Sequence, residues 1–165
     1  MAQSLLAFLI SQSKKAYRSF LQEIETITPQ EALYHRHPHW PPQQWGIGQD
    51  GSIAGIVYHV AAWKQAALSL LRGEDALSPM EHPETLPPPS IPWPEVCNWY
   101  REIGAVWCNQ LEKLHESDLD RSCFFFDDKP ITLSELISEI MLHDVQHASQ
   151  IAYLRQHLRA EEITR

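Results

Sequence analysis

Two histidines four residues apart, His143 and His147, stand in the stretch HDVQH near the end of a 165-residue chain. On a helix, side chains at i and i+4 project together, with Cβ atoms roughly 5–6 Å apart, so two imidazoles at this spacing can share one metal ion. Their neighbours place them on a buried face. Leu136, Ile140, His143, His147, Ile151 and Leu154 step by four, three, four, four and three, which is one continuous helical stripe. A second segment repeats the feature: Ile56, His59, Trp63, Ala66 and Leu70 step by three, four, three and four, with His59 in the line. Burying one unpaired imidazole costs on the order of 1–3 kcal/mol. Three together need something that satisfies their nitrogens, and a divalent metal does so while taking the neutral form that burial favours.

A lone histidine on an apolar face is ordinarily a core residue bonded to a carbonyl, and that structural reading stands beside the metal reading here. The i,i+4 pair with a third stripe histidine shifts the balance toward the metal. Three histidines leave a coordination position open, which suits water activation or capture of a thiolate better than a closed structural site. HDVQH also resembles the zincin pattern HExxH with Asp144 in place of glutamate, but the shorter side chain makes that match weak. Asp144 sits about 100° round the helix from His143; the sequence favours a surface position for it, with an outer-sphere carboxylate as the alternative. Gln150 shares the histidine face and is the better candidate for a polar contact to the site or its substrate. Asp144 and Gln150 are thus the two candidate catalytic side chains, and His59, His143 and His147 the candidate metal ligands.

The remaining histidines carry less. His35, His37 and His39 alternate in HRHPH, which suits a solvated loop more than a metal site. His82, His115 and His157 read as loop or helix-end residues. Trp63, Trp99 and Trp107 read as core, while Trp40, Trp45 and Trp93 fall in proline-rich stretches where they can cap the bundle or line a pocket mouth. Cys97, Cys108 and Cys123 are odd in number and lack CxxC spacing, which argues against a disulfide framework, a cysteine zinc site or a cysteine nucleophile.

Four amphipathic helices must position these residues. The first runs from about Ser4 to Ile27, with Leu5, Leu9, Ala16, Phe20, Ile24 and Ile27 as its stripe. TPQE follows as one short turn, with Thr28 and Glu31 forming a capping box. After a loop from His35 to Gly51, Ser52 caps a second helix from Ile53 to Leu71, with Gly73 just past its end. A proline-rich loop spans Ser78 to Pro92. The third helix opens at Pro94 and runs to about His115. TLSE is a second capping box, Thr132 to Glu135, and starts a fourth helix to about Leu158. CFFF is too short to build a sheet on. The expected fold is all-α, a single four-helix bundle over residues 1–165, with helices one and two, and three and four, packed as neighbours.

Composition narrows the function. A chain of this length buries roughly 70% of its unfolded surface, enough for a core without staples. The net charge of −8, from 21 acidic and 13 basic residues, disfavours nucleic-acid binding. The apolar start MAQSLLAFLI lacks a preceding basic residue and a cleavage site, and no run approaches the ~20 apolar residues of a membrane span. A cytoplasmic protein is the expectation.

SIAGIVYHVAAW (Ser52 to Trp63) and HDVQHASQIAYLR (His143 to Arg155), on helices two and four of a bundle, resemble the DinB-like/YfiT-like superfamily. That resemblance covers essentially the whole chain in helix order and length. It implies a homodimeric four-helix bundle, a divalent ion, nickel or zinc, held by the positions matching His59, His143 and His147, and a small-molecule substrate. Gln150 matches the glutamine that follows the second histidine. Relatives include metal-dependent hydrolases and transferases of low-molecular-weight thiols such as bacillithiol or mycothiol. The family name implies no DNA binding. One departure concerns the start of helix two, where many members carry tryptophan and this chain has Gly51. Metal-assisted hydrolysis or thiol transfer is the expected activity; a non-catalytic metal or small-ligand binding module is the rival.

Overall fold

The structure is a computed structural model and describes residues 3–34, 51–74, 92–125 and 129–163. The elements are α1 (Leu5–Ile24), the single turn α2 (Pro29–Ala32), α3 (Ile53–Leu71), α4 (Trp93–Leu111), β1 (Ser122–Phe124), β2 (Pro130–Thr132) and α5 (Leu133–Ile163). The four long helices form the expected bundle, and among the described residues no helix is long and apolar enough to cross a membrane.

Helix boundaries follow the caps written in the sequence. The Ser4 hydroxyl accepts from Ala7 N at the start of α1, and the Ser52 hydroxyl accepts from Gly55 N at the start of α3. Both capping boxes form: Thr28 with Glu31, and Thr132 with Glu135. At the end of α3, Gly73 takes φ +75°, the left-handed conformation glycine adopts without strain. There the Arg121 guanidinium donates to the carbonyls of Leu70 and Leu71 at 2.8 and 3.0 Å. Three boundaries differ from expectation. α1 stops at Ile24 and α4 at Leu111, each short of the sequence reading, while α5 continues past Leu158 to Ile163. The α1 stripe also shifts: Leu6 is buried and Leu5 exposed.

The expected pairing of neighbours is overturned. α1 packs along α5 and α4, and α3 packs along α4 and α5, so helices one and two lie diagonally, as do three and four. Only short connections force sequential helices to be adjacent; residues 25–52 and 112–132 are long enough to cross the bundle. The last of these also holds the antiparallel ladder of β1 and β2, in register Ser122↔Thr132, Cys123↔Ile131 and Phe124↔Pro130. CFFF therefore does find a partner strand, though only a single one.

α3 is the helix most enclosed by the others. Apolar residues on nearly every face are buried, from Ile53, Ile56, Val57 and Val60 to Ala66, Ala67, Leu70 and Leu71. Tyr100 and Phe20 pack ring on ring at 4.4 Å, and Gly104 on α4 gives way to the Tyr17 ring, where a Cβ would lie 2.2 Å from a ring carbon. α4 is pinned to the end of α1 by Trp93 Nε1, which donates to the Ile27 carbonyl at 2.9 Å. Trp93 is thus buried at the head of a helix and not at a pocket mouth. Trp40, Trp45, His35, His37, His39 and His82 lie outside the described residues.

Candidate metal centre

The stripes of α3 and α5 face one another and bring His59, His143 and His147 together. His59 Nε2 lies 2.9 Å from His143 Nε2, and His147 Nε2 lies 3.1 Å from the same atom. One nitrogen of each ring falls within 4.8 Å of the others. Nitrogens bound at about 2.0–2.1 Å to one tetrahedral ion sit about 3.3 Å apart, so the convergence is of the right scale for a shared metal. Hydrogen bonding alone does not satisfy it. His143 Nε2 offers either one proton or one lone pair, and so makes a full bond to only one of its two neighbours. A cation accepts all three lone pairs at once, and the donor set fits a divalent ion of the kind imidazole prefers.

The protein also prepares the rings. His147 Nδ1 lies 2.7 Å from Gln150 Oε1. The amide oxygen can only accept, so the proton sits on Nδ1 and the Nε2 lone pair faces the cluster. Burial favours the neutral form of His143 and His147. Desolvation, then the neighbouring His147, His59 and Lys64, push His143 down to about 2. Desolvation likewise lowers His147, against a smaller raising effect of Gln150. Gln150 is placed against the His147 ring by this contact.

The cluster is open on one side. His59 and His147 are buried, whereas His143 is half-buried and forms part of the wall of a pocket of about 450 Å³. Trp63, Phe125, Ile131, Ile140 and Leu142 supply apolar walls, and Lys129 and Glu139 charged ones. Trp63 is more than core. Its ring lies 5.3 Å from both His143 and Phe125, so it joins the cluster to the pocket. Ile131 comes from β2 and Phe125 directly follows β1, a ladder that sequence periodicity did not place at the site.

The expected surface position of Asp144 is overturned. Its carboxylate is buried and accepts from Lys64 Nζ at 2.5 Å, with side-chain exposures of 3% and 0% for the two residues. A helix with α1 on one side and α3 on another buries more than one stripe, so a 100° offset from His143 points inward. Burial pushes the Asp144 carboxyl up and Lys64 pulls it back. Tyr100 lies near enough to act on Asp144, yet its hydroxyl and Asp144 Oδ1 form no well-aligned hydrogen bond. Lys64 Nζ also sits 5.0 Å from the Tyr100 ring centre and 5.7 Å from that of Tyr17. Lys64 was legible as the one charged residue inside IAGIVYHVAAWKQAALSLL, but nothing local named its partner.

The other candidates stay apart from the cluster. His115 N is bonded to Asp118 Oδ2 in a one-turn 3₁₀ helix, and the His157 ring packs on Tyr153. Burial raises all three cysteine thiols, Cys97 to about 11, which leaves them without thiolate character.

The long helices form a bundle in which inward-facing side chains of two of them make a polar centre compatible with a metal ion. The chain belongs to the DinB superfamily, whose family model matches residues 11–151. A solved structure, the conserved protein of a locus from Enterococcus faecalis, is similar over 94% of this chain and 97% of its own, with a TM-score of 0.64 and 18% identity. At that identity the likeness shows the fold. No curated protein matches the chain.

Proposed function

We propose that His59, His143 and His147 bind a divalent metal ion, nickel or zinc, and that the centre acts on a small molecule admitted through the pocket beside His143. The observation that carries this is the convergence of three imidazole nitrogens where the bundle interior meets that pocket. An ion held there supplies Lewis acidity and room for a further ligand, water or thiolate. Trp63 and Phe125 receive the apolar body of the substrate. Gln150 keeps the proton on His147 Nδ1. Asp144, tied to Lys64, is not free to move a proton for the site. That favours thiol transfer, which needs no carboxylate base, over a zincin-like hydrolysis.

Protein purified without a histidine tag and reloaded should carry about one divalent ion per chain, as a three-histidine centre requires. His143→Ala with His147→Ala should abolish uptake, and full occupancy in that variant would sink the site. The loaded protein, given an electrophile with bacillithiol and separately an ester and amide panel, should turn over the first. Turnover of the second alone would make it a hydrolase. Turnover of neither would reduce the centre to a binding module.

A further inference from the structure

The four long helices meet at one buried polar point that the metal reading does not use. Lys64 comes from α3 and Asp144 from α5, and they are joined at 2.5 Å. Tyr17 of α1 and Tyr100 of α4 lie over the ammonium. Tyr17 is itself held by its hydroxyl, which donates to the Arg101 carbonyl at 2.8 Å. Each helix thus contributes one side chain. Asp144 directly follows His143, and Lys64 is five residues after His59, so the link bridges the same two helices as the histidines.

A buried ion pair is a poor stabiliser, because desolvating two charges offsets most of their attraction, and apolar residues of similar volume are commonly tolerated in its place. What such a pair can confer is uniqueness of arrangement. α3 needs that more than its neighbours. Its buried face is apolar nearly all round, from Ile53 to Leu71, so no single stripe dictates its rotation. A slip by one residue moves α3 about 1.5 Å along its axis and turns His59 about 100° away from α5.

We propose that the Lys64–Asp144 pair is a positioning device that sets the rotation and register of α3 against α5, and thereby aims His59 Nε2 at His143 and His147. The step from ring geometry to metal affinity rests on the metal reading above; the step from the ion pair to ring geometry does not.

The test compares wild type with Lys64→Met/Asp144→Leu and Lys64→Gln/Asp144→Gln. The first replaces the pair by apolar side chains. The second keeps a neutral hydrogen-bonding link of the same overall length. Ring-to-ring NMR contacts between His59 and His143 are read in the apo proteins, and cobalt(II) affinity from the visible spectrum. The apolar variant should fold with an unchanged or higher melting temperature, lose the His59–His143 contact, and bind cobalt about 10- to 100-fold more weakly, as when outer-sphere support is removed. The amide variant should keep the ring contact and bind within a few-fold of wild type. An apolar variant with intact ring contacts would overturn the proposal. So would its failure to fold, which would make the pair a plain stabiliser. So would an amide variant that folds but loses the contact. Absence of cobalt uptake by wild type would sink the metal reading alone, and the apo ring contacts would still decide the positioning role.

Discussion

Two buried polar groups sit side by side between α3 and α5, and they are built on opposite principles. The Lys64–Asp144 pair is sealed, with side-chain exposures of 0% and 3%, and its opposite charges cancel within the molecule. The histidine cluster is open at His143, whose neutral ring burial favours and whose Nε2 faces two like nitrogens at 2.9 and 3.1 Å. The charges of the first group offset one another without a ligand, whereas the second converges like nitrogens that a cation would join. The difference teaches where to look for function: converging like donors that face a pocket mark a candidate binding site, whereas opposite charges paired away from solvent mark architecture.

Breaking the sealed group should have the largest effect. Lys64→Met alone strands a carboxylate in the core, and removing one partner of a buried pair costs about 3–5 kcal/mol. The apparent melting temperature should then fall by roughly 10–15 °C for a domain of this size. His59→Ala, one and a half turns away on the same helix, trades a buried polar ring for a small cavity and should leave the apo bundle folded. Denaturant unfolding of both variants measures the contrast. A cost below about 1 kcal/mol for Lys64→Met would show that the pair is not sealed.

A metal ligand should move only the open group, and a change of pH acts on that group through His143 and His147. Metal that binds the folded state alone adds about 2.7 kcal/mol when free metal is a hundredfold above its dissociation constant. Protons compete for the same nitrogens. His143 is pushed down to about 2 and His147 is also lowered, so both are neutral in the folded protein, while unfolded histidine titrates near 6.5. Below that pH the unfolded chain takes up protons the native state refuses. Apo stability is therefore fully present above about pH 7 and declines as pH falls, by up to about 1.4 kcal/mol per pH unit for each histidine kept neutral. The metal increment has the same sign, present above about pH 7 and fading through about 6 to 5. Thermal melts at pH 8 and pH 5, with and without zinc or nickel, on wild type and His59→Ala, read this directly. An increment of equal size at both pH values, or one that survives in His59→Ala, would remove these histidines as ligands.

The open group was legible in the sequence and the sealed one was not, for a physical reason. Helical periodicity is a local signal. It placed His59, His143 and His147 on core stripes, and the capping residues Ser52, Thr28 and Thr132 fixed helix starts, because each depends only on neighbours within a turn. Asp144 escapes helical periodicity because a single stripe describes one packed side of a helix, and α5 has two. Lys64 is the one charge in the apolar run of α3, and its partner lies 80 residues on, beyond any local pattern. The diagonal helix order and the pairing of CFFF with PIT are equally non-local; long connections carry no instruction about which helix they reach.

The finest distinction between the two groups rests on a single hydrogen bond. Gln150 Oε1 accepts from His147 Nδ1 at 2.7 Å, the contact that aims the Nε2 lone pair at the cluster. Gln150→Leu keeps the helix and most of the side-chain volume but frees the tautomer, so that the proton can move to Nε2 and must be displaced before a metal binds. Loss of such support typically weakens binding by about 10- to 100-fold, of which the lower end, about 1.4 kcal/mol, suits a half-buried amide. Melting of the apo protein should hardly change, because Gln150 makes no contact with Lys64 or Asp144 in the sealed pair. Gln150→Glu should bind at least as tightly as wild type, since a carboxylate accepts the same proton more strongly. Cobalt(II) titration gives the affinities, and nitrogen chemical shifts of the His147 ring give the tautomer. A leucine variant with wild-type affinity and the proton still on Nδ1 would show that burial alone orients the ring, and would leave the open group as self-organised as the sealed one.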